Sequence, residues 1–336
     1  MNMINTPIKL RNLEIHNRLI MPPMATAKSD SDGKVTQQLL TYYDEKTQGG
    51  FFGLVITEHS FISAEGRASK GQLSIADDSS IAGLSKVAGI IHKNGTKAMA
   101  QISHAGGATT EDITGHIPLS ASAVRLPRAN TTNILPKEMS QSDIDKVISD
   151  FACAAQRAKK ANFDGVEIHS AHGYLLNQFF SPLTNKRTDK YNGSTIDGRI
   201  KLHMEIIEAV RDAVGEDYPI SLRLGACDYM DGGTTIDDSI LAAKHFEKAG
   251  LDLLDISGGY CLYTHPTIKE QGYFSEITEP IKSCVSLPVL LTGGIIDVLA
   301  AEKLLVDNKA DLIGVGRAIL KNSEWAKNAN AILSEG

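Results

Sequence analysis

The chain has 336 residues, a formal net charge of −6, and 42% hydrophobic and 22% charged residues. An acidic chain without a long Lys/Arg run lacks the basic surface that neutralises phosphates, which argues against nucleic acid as the main partner. The four cysteines, Cys153, Cys227, Cys261 and Cys284, lie far apart with no C-x-x-C pair, which disfavours a zinc or iron–sulfur site and a disulfide framework and suits a reducing cytoplasm. Residues Met1 to Arg18 hold no apolar signal-peptide core, and no run of eighteen apolar residues occurs, so neither a leader nor a membrane span is expected.

Short β-rich runs alternate with longer amphipathic stretches, the pattern of βα units. Ile8 to Asn17 reads as a short hairpin that could plug a barrel from below. Strand one is Arg18 to Met21, stopped by Pro22-Pro23, and a helix covers Gln37 to Gln48 before Gly49-Gly50. Strand two is Gly53 to Thr57. A polar loop, Ser60 to Asp78, leads to a helix over Ser79 to Asn94. Strand three is Lys97 to Ile102. The stretch from Ser103 to Met139 is too long for a simple connector and suits a functional loop or lid. Ser140 caps a helix that runs to Ala161.

Strand four, Gly165 to Ile168, passes into an apolar helical turn over Tyr174 to Phe180. A helix spans Arg199 to Val214 and strand five is Ile220 to Leu224. A helix over Ile236 to Ala249 precedes strand six, Leu253 to Ser257. The remaining elements are a helix at Glu276 to Val285, strand seven at Pro288 to Leu291, a helix at Asp297 to Asn308, strand eight at Leu312 to Val315 and a final helix. Eight strands alternating with eight helices predict an α/β fold, one (β/α)8 TIM barrel domain over residues 1–336, with an N-terminal β-hairpin and extended loops at the C-terminal face.

In such a barrel the chemistry sits on the loops after the strands. Those loops carry Pro22, Pro23, Met24 and Ala25 after strand one, Glu58 and His59 after strand two, Gln101 at the end of strand three, and His169, His172 and Tyr174 after strand four. Arg223 lies near the end of strand five, Gly293-Gly294 follow strand seven and Gly316-Arg317 follow strand eight. Glycines that let backbone N–H groups approach an anion, together with a guanidinium, suit a phosphate, although tight turns would use the same glycines. No G-x-G-x-x-G follows a strand, so a Rossmann site is not expected. No metal-binding spacing appears.

Several of these segments match one known family. They are Asn17-Arg18-Leu19-Ile20-Met21-Pro22-Pro23-Met24, Thr57-Glu58, Gln101 followed by His104-Ala105-Gly106, Glu167-Ile168-His169-Ser170-Ala171-His172-Gly173-Tyr174-Leu175, Ser181 to Asp189, Gly293-Gly294-Ile295 and Gly316-Arg317. With them the chain resembles the old yellow enzyme family of FMN-dependent ene-reductases, in particular its barrel-only bacterial branch. The resemblance spans nearly the whole chain.

The resemblance implies non-covalent FMN, with NAD(P)H as reductant. Pro22, Pro23, Met24 and Ala25 would contact the isoalloxazine, with His59 where a small residue usually stands. Gln101 would meet the pyrimidine edge, and Arg223 would lie where negative charge builds on reduction. Gly293, Gly294, Gly316 and Arg317 would hold the phosphate. His169 and His172 would donate hydrogen bonds to a carbonyl or nitro oxygen of a small unsaturated substrate. Tyr174 would protonate the α-carbon, since a phenol keeps its proton at neutral pH. For Arg223 the plain alternative is a buried ion pair, for Glu58 a brace, and for His59 simple packing. Tyr260, Tyr263, His265 and Tyr273 either line the substrate mouth or cover apolar surface.

The chain departs from that branch at Ala25, where cysteine is usual, and at Ala27, where a tyrosine often meets substrate. No arginine follows Arg317, so insertion of one into a neighbouring subunit is not implied and homo-oligomerisation stays open. The chain lacks the cysteine cluster of the larger dienoyl-CoA reductases and ends at Gly336, which implies direct hydride transfer from NAD(P)H. Two alternatives stand beside alkene reduction: a quinone, nitro or flavin reductase on the same scaffold, and a non-catalytic flavin-binding protein.

Overall fold

A computed structural model describes residues 2–127 and 134–335. In chain order it contains β1 (Ile8–Leu10), β2 (Leu13–Ile15), β3 (Leu19–Met21), α1 (Gln37–Thr47), β4 (Leu54–Ile56), β5 (Ser60–Phe61), α2 (Ile81–Lys93), β6 (Lys97–Ser103), α3 (Glu111–Thr114), β7 (Leu119–Ser120), β8 (Lys137–Glu138) and α4 (Gln141–Lys160). There follow β9 (Gly165–Ser170), α5 (Leu175–Phe180), α6 (Ile196–Val214), β10 (Ile220–Gly225), α7 (Ile236–Lys248), β11 (Leu253–Ser257), α8 (Ser275–Lys282), β12 (Val289–Thr292), α9 (Val298–Val306), β13 (Leu312–Gly314), α10 (Arg317–Lys321) and α11 (Trp325–Glu335).

Eight of the strands pair in parallel in the order β4-β3-β13-β12-β11-β10-β9-β6, and β4 pairs with β6 to close the ring. This is the expected (β/α)8 barrel. Its strands are buried along almost all of their length, as they must be with side chains inside the barrel and helices outside. The helices use local signals of the expected kind. Ser140 forms a capping box with Asp143, and Thr235 forms another with Asp238, each satisfying backbone donors at a helix start. Along α4 the buried side chains Ile144, Val147, Phe151, Ala154 and Ala158 recur every three or four residues and face the barrel.

The hairpin β1–β2 is the plug. Leu10 and Ile15 are fully buried and pack against Ile20, Leu54, Ile56, Met99, Leu253, Leu290 and Leu312, one apolar layer closing the N-terminal end. Above it the inward-facing residues turn polar, and above those the cavity opens.

Some boundaries differ from expectation. Helix α6 begins at Ile196 because the Thr195 side chain accepts from the Gly198 N–H and caps it three residues early. The final helix is two, α10 and α11. The long 103–139 segment contains α3 and a short parallel pair, Leu119 opposite Lys137, while residues 128–133 lie outside the described residues.

Candidate active site

A cavity of about 750 Å³ opens at the C-terminal ends of the barrel strands, within the usual range for small-molecule sites. It gathers most of the residues singled out above. Pro22, Pro23, Met24 and Ala25 line it from the loop after β3, His59 from the loop after β4, Gln101 from β6, and His169, His172 and Tyr174 from the end of β9. Arg223, Gly294, Gly316 and Arg317 complete the set. Gly293 stands just behind the wall, where its carbonyl accepts from the Gly272 N–H at 2.6 Å.

The rim is a cluster of rings. The His169 centroid lies 5.2 Å from that of His172 and 5.0 Å from that of Tyr174, and His59 lies 5.4 Å from Tyr174. Local backbone sets the orientations. His169 Nδ1 accepts the Ala171 N–H at 3.3 Å, so the ring proton sits on Nε2. His172 adopts φ +60°, a left-handed conformation uncommon for a residue with a side chain. Two contacts with the end of β11 hold it there: its N–H donates to the Gly258 carbonyl, and Nε2 lies 2.7 Å from Ser257 Oγ. His59 Nδ1 lies 2.7 Å from Gln72 Nε2 and so accepts from that amide.

Opposite the rim is a corner of glycines and cation. Gly294 has φ +67°, and a Cβ there would stand 2.6 Å from the Tyr273 ring. A Cβ on Gly316 would meet Met24 Sδ at 3.4 Å and Pro22 Cγ at 3.5 Å. Arg317 Nη2 donates to the Tyr273 hydroxyl at 2.9 Å, and Tyr273 donates to the Tyr263 carbonyl. The missing Cβ of Gly294 makes room for the Tyr273 ring, which in turn holds the Arg317 guanidinium beside the bare backbone of Gly294 and Gly316.

The floor is polar. Gln101 Nε2 donates to Glu167 at 2.9 Å, and Arg223 Nε stands 3.3 Å from Asp255. Arg223 is thus both ion-paired, as the plain reading had it, and exposed to the cavity. Its Nε and the Thr292 hydroxyl on the same wall form no hydrogen bond among the described residues. Apolar residues on one wall, an amide and a guanidinium on the floor and a glycine–arginine corner fit the faces, pyrimidine edge and phosphate of FMN.

Around the site, Glu58 is a brace: its carboxylate accepts from the Thr26 N–H at 3.2 Å and the Thr26 hydroxyl at 2.7 Å. This pins the loop after β3. Burial pushes the Glu58 carboxyl up to about 6, against the pull of the Thr26 donors and Lys28. Tyr263, His265 and Tyr273 line the cavity, whereas Tyr260 is buried and donates to Thr184. Ser257 and Thr292 were not singled out in the sequence. Their only signal is that each ends a barrel strand. Among the described residues no group of three or more His, Cys, Asp or Glu could hold a metal ion.

Comparison with known proteins agrees with this geometry. The model of the NADH:flavin oxidoreductase / NADH oxidase family matches residues 3–335. The chain is 40% identical over 327 residues to an NADH oxidase of Thermoanaerobacter brockii, covering 96% of this chain and 50% of that protein. It is 36% identical to an NADPH dehydrogenase of Halalkalibacterium halodurans, covering 95% of this chain and 91% of that protein. A solved 2-naphthoyl-CoA reductase in complex with 2-naphthoyl-CoA superposes with a TM-score of 0.91 at 26% identity, covering 98% of this chain and 52% of that one. The chain thus spans about half the length of some relatives and nearly all of others. It belongs to the NADH:flavin oxidoreductase / NADH oxidase family, the FMN-dependent NAD(P)H oxidoreductases built on the old yellow enzyme barrel.

Proposed function

We propose that residues 1–336 act as one FMN-binding barrel that reduces activated C=C bonds, conjugated to a carbonyl or nitro group, at the expense of NAD(P)H. Bound FMN supplies the hydride carrier between the nicotinamide and the alkene. The chain's own residues do the rest. Pro22 to Ala25 and His59 pack the cofactor's ring system, Gln101 and Arg223 meet its pyrimidine edge, and Gly293, Gly294, Gly316 and Arg317 take its phosphate.

The observation that carries the reading is the packing of His169, His172 and Tyr174 within one cluster of rings on the cavity wall. Hydride delivery to the β-carbon places negative charge on the carbonyl or nitro oxygen, and two fixed imidazole donors stabilise it. Tyr174 then gives its hydroxyl proton to the α-carbon. The left-handed turn at His172 and the Ser257 contact keep the second imidazole in place without reorganisation during the reaction.

Purified protein is expected to be yellow, and NADH or NADPH should bleach it without oxygen. Protein that neither carries nor takes up FMN refutes the reading. Tyr174→Phe should lower alkene reduction about 100- to 10,000-fold, the scale of a lost general acid, while quinone reduction persists. Equal loss of both would assign Tyr174 to binding. Quinone, nitro or flavin reduction on the same scaffold is the second reading, favoured by the likeness to a protein named NADH oxidase.

The substrates we propose are small molecules. The net charge of −6 works against nucleic acid as a partner. Among the described residues no helix is long and apolar enough to cross a membrane. A cytoplasmic site of action fits the sparse, unpaired cysteines, and assembly with further copies of the chain is compatible with the site.

A further inference from the structure

The cavity floor holds ionisable groups that the proposed reaction does not use. Glu167 on β9 is fully buried. Gln101 donates to its Oε1 at 2.9 Å and Ser221 donates to its Oε2 at 2.8 Å. Strand register puts them there, with Glu167 opposite Gln101 on β6 and opposite Ser221 on β10. One step toward the cavity, Arg223 on β10 pairs across the register with Asp255 on β11, Nε to Oδ2 at 3.3 Å. Neither Asp255 oxygen accepts a hydrogen bond among the described residues. The charges acting on Glu167 are therefore Arg223 from β10 and Asp255 from β11, with His169 two residues further along its own strand.

One guanidinium serves two buried carboxyls. If both ionise, a net negative charge stays out of water, which is costly. Burial pushes Glu167 up and Asp255 adds to the push, while Arg223, Ser221 and Gln101 pull it down. Asp255 is likewise raised by burial and lowered by Arg223. Gln101 and Arg223 line the cavity, whereas Glu167 and Asp255 do not. Glu167 thus reaches the cavity through a single amide.

We propose that Glu167 is a proton-accepting positioning residue that compensates the charge gained when the cofactor is reduced. This rests on the reading that FMN sets its pyrimidine edge on Gln101 and Arg223. NAD(P)H gives a hydride, two electrons and one proton, and becomes NAD(P)+. The cofactor gains one negative charge. At a pH where Glu167 is ionised in the oxidised protein, one solvent proton converts its carboxylate to the carboxylic acid, and that proton returns to solvent when the hydride passes to the alkene. The proton also reverses the bond to Gln101. A carboxylic O–H donates to the amide oxygen, and the amide N–H turns toward the cavity, where the added negative charge lies.

The test is a spectroelectrochemical titration of FMN-loaded protein over a pH series. One proton taken up per two electrons adds about 30 mV per pH unit to the fall of the midpoint potential. Wild-type protein should show a segment with this extra slope, and Glu167→Gln should lose it. Glu167→Gln with the wild-type slope throughout overturns the proposal. Should that variant not fold, Ser221→Ala and Asp255→Asn decide. Removing the Ser221 donor should move the segment to higher pH, and removing the Asp255 charge should move it to lower pH. No displacement, or displacement in one direction for both, overturns the proposal. A purely packing role for Glu167 moves none of these. Protein that takes up no FMN overturns the cofactor reading and this inference with it, whereas bound FMN with an unaltered slope overturns this inference alone.

Discussion

Gly294→Ala tests the glycine–arginine corner directly. At φ +67° the left-handed backbone costs an L-residue about 1–2 kcal/mol. The new methyl group would also stand 2.6 Å from the Tyr273 ring, so the ring must shift. Its hydroxyl is held by Arg317 at 2.9 Å and by the Tyr263 carbonyl. Breaking a hydrogen bond to a charged group costs about 1.5–3 kcal/mol. The total is about 2.5–5 kcal/mol, of which only the ring's share reaches the cavity, because Arg317 follows Tyr273. That share corresponds to FMN binding weakened about 10- to 100-fold. Gly95→Ala is the control: φ is +81°, and its Cβ would have nothing within 4 Å. It should lose stability from the backbone alone and bind FMN as wild type does. Thermal unfolding of the apoproteins and fluorescence titration with FMN measure both. If Gly294→Ala binds FMN as tightly as Gly95→Ala, the corner does not hold the phosphate.

Ser257→Ala removes the 2.7 Å contact that orients His172, and enone turnover should fall about 2- to 10-fold. Unchanged turnover in steady-state kinetics would detach Ser257 from catalysis. For Glu58 the folded-state value of about 6 lies above the ordinary 4.5. Its contribution is therefore complete below the lower value and is lost as pH rises through the upper one. Glu58→Gln should gain stability relative to wild type as pH rises through that window, by up to about 2 kcal/mol, and chemical denaturation at both ends shows whether it does. Leu10→Ala in the plug should cost about 2–5 kcal/mol of stability while FMN affinity stays unaltered, since Leu10 packs in the layer at the far end of the barrel.

Periodicity made the barrel legible, because a strand buried on both faces and a helix buried on one leave different spacings. The rim was legible for a related reason. His169, His172 and Tyr174 are close in sequence, and a strand end keeps close residues close in space. The floor was not. Gln101, Glu167, Arg223 and Asp255 come from four strands, and only strand register brings them together. Nothing in the spacing of a single sequence reports register between strands separated by whole helices. The early start of α6 shows a smaller failure: Thr195 lies in a polar stretch where its capping role is invisible until its hydroxyl is seen accepting from Gly198. Arg223 was legible as a residue but not as a pair, since its partner Asp255 sits mid-strand among Leu253, Leu254 and Ile256.

Ring closure joins the beginning of the chain to its end. Ile313 on β13 pairs with Leu19 on β3, and Val315 N–H donates to the Ile20 carbonyl. A chain emerging from the ribosome N-terminus first must keep β3 without one neighbour until nearly all other strands exist. Such a long loop to close is a slow, late event in folding. The corner built by Gly294, Gly316 and Arg317 beside Pro22 and Met24 spans that same seam. Acquisition of the yellow cofactor should therefore trail the appearance of helical signal during refolding, and its absorbance would time the moment the ring shuts.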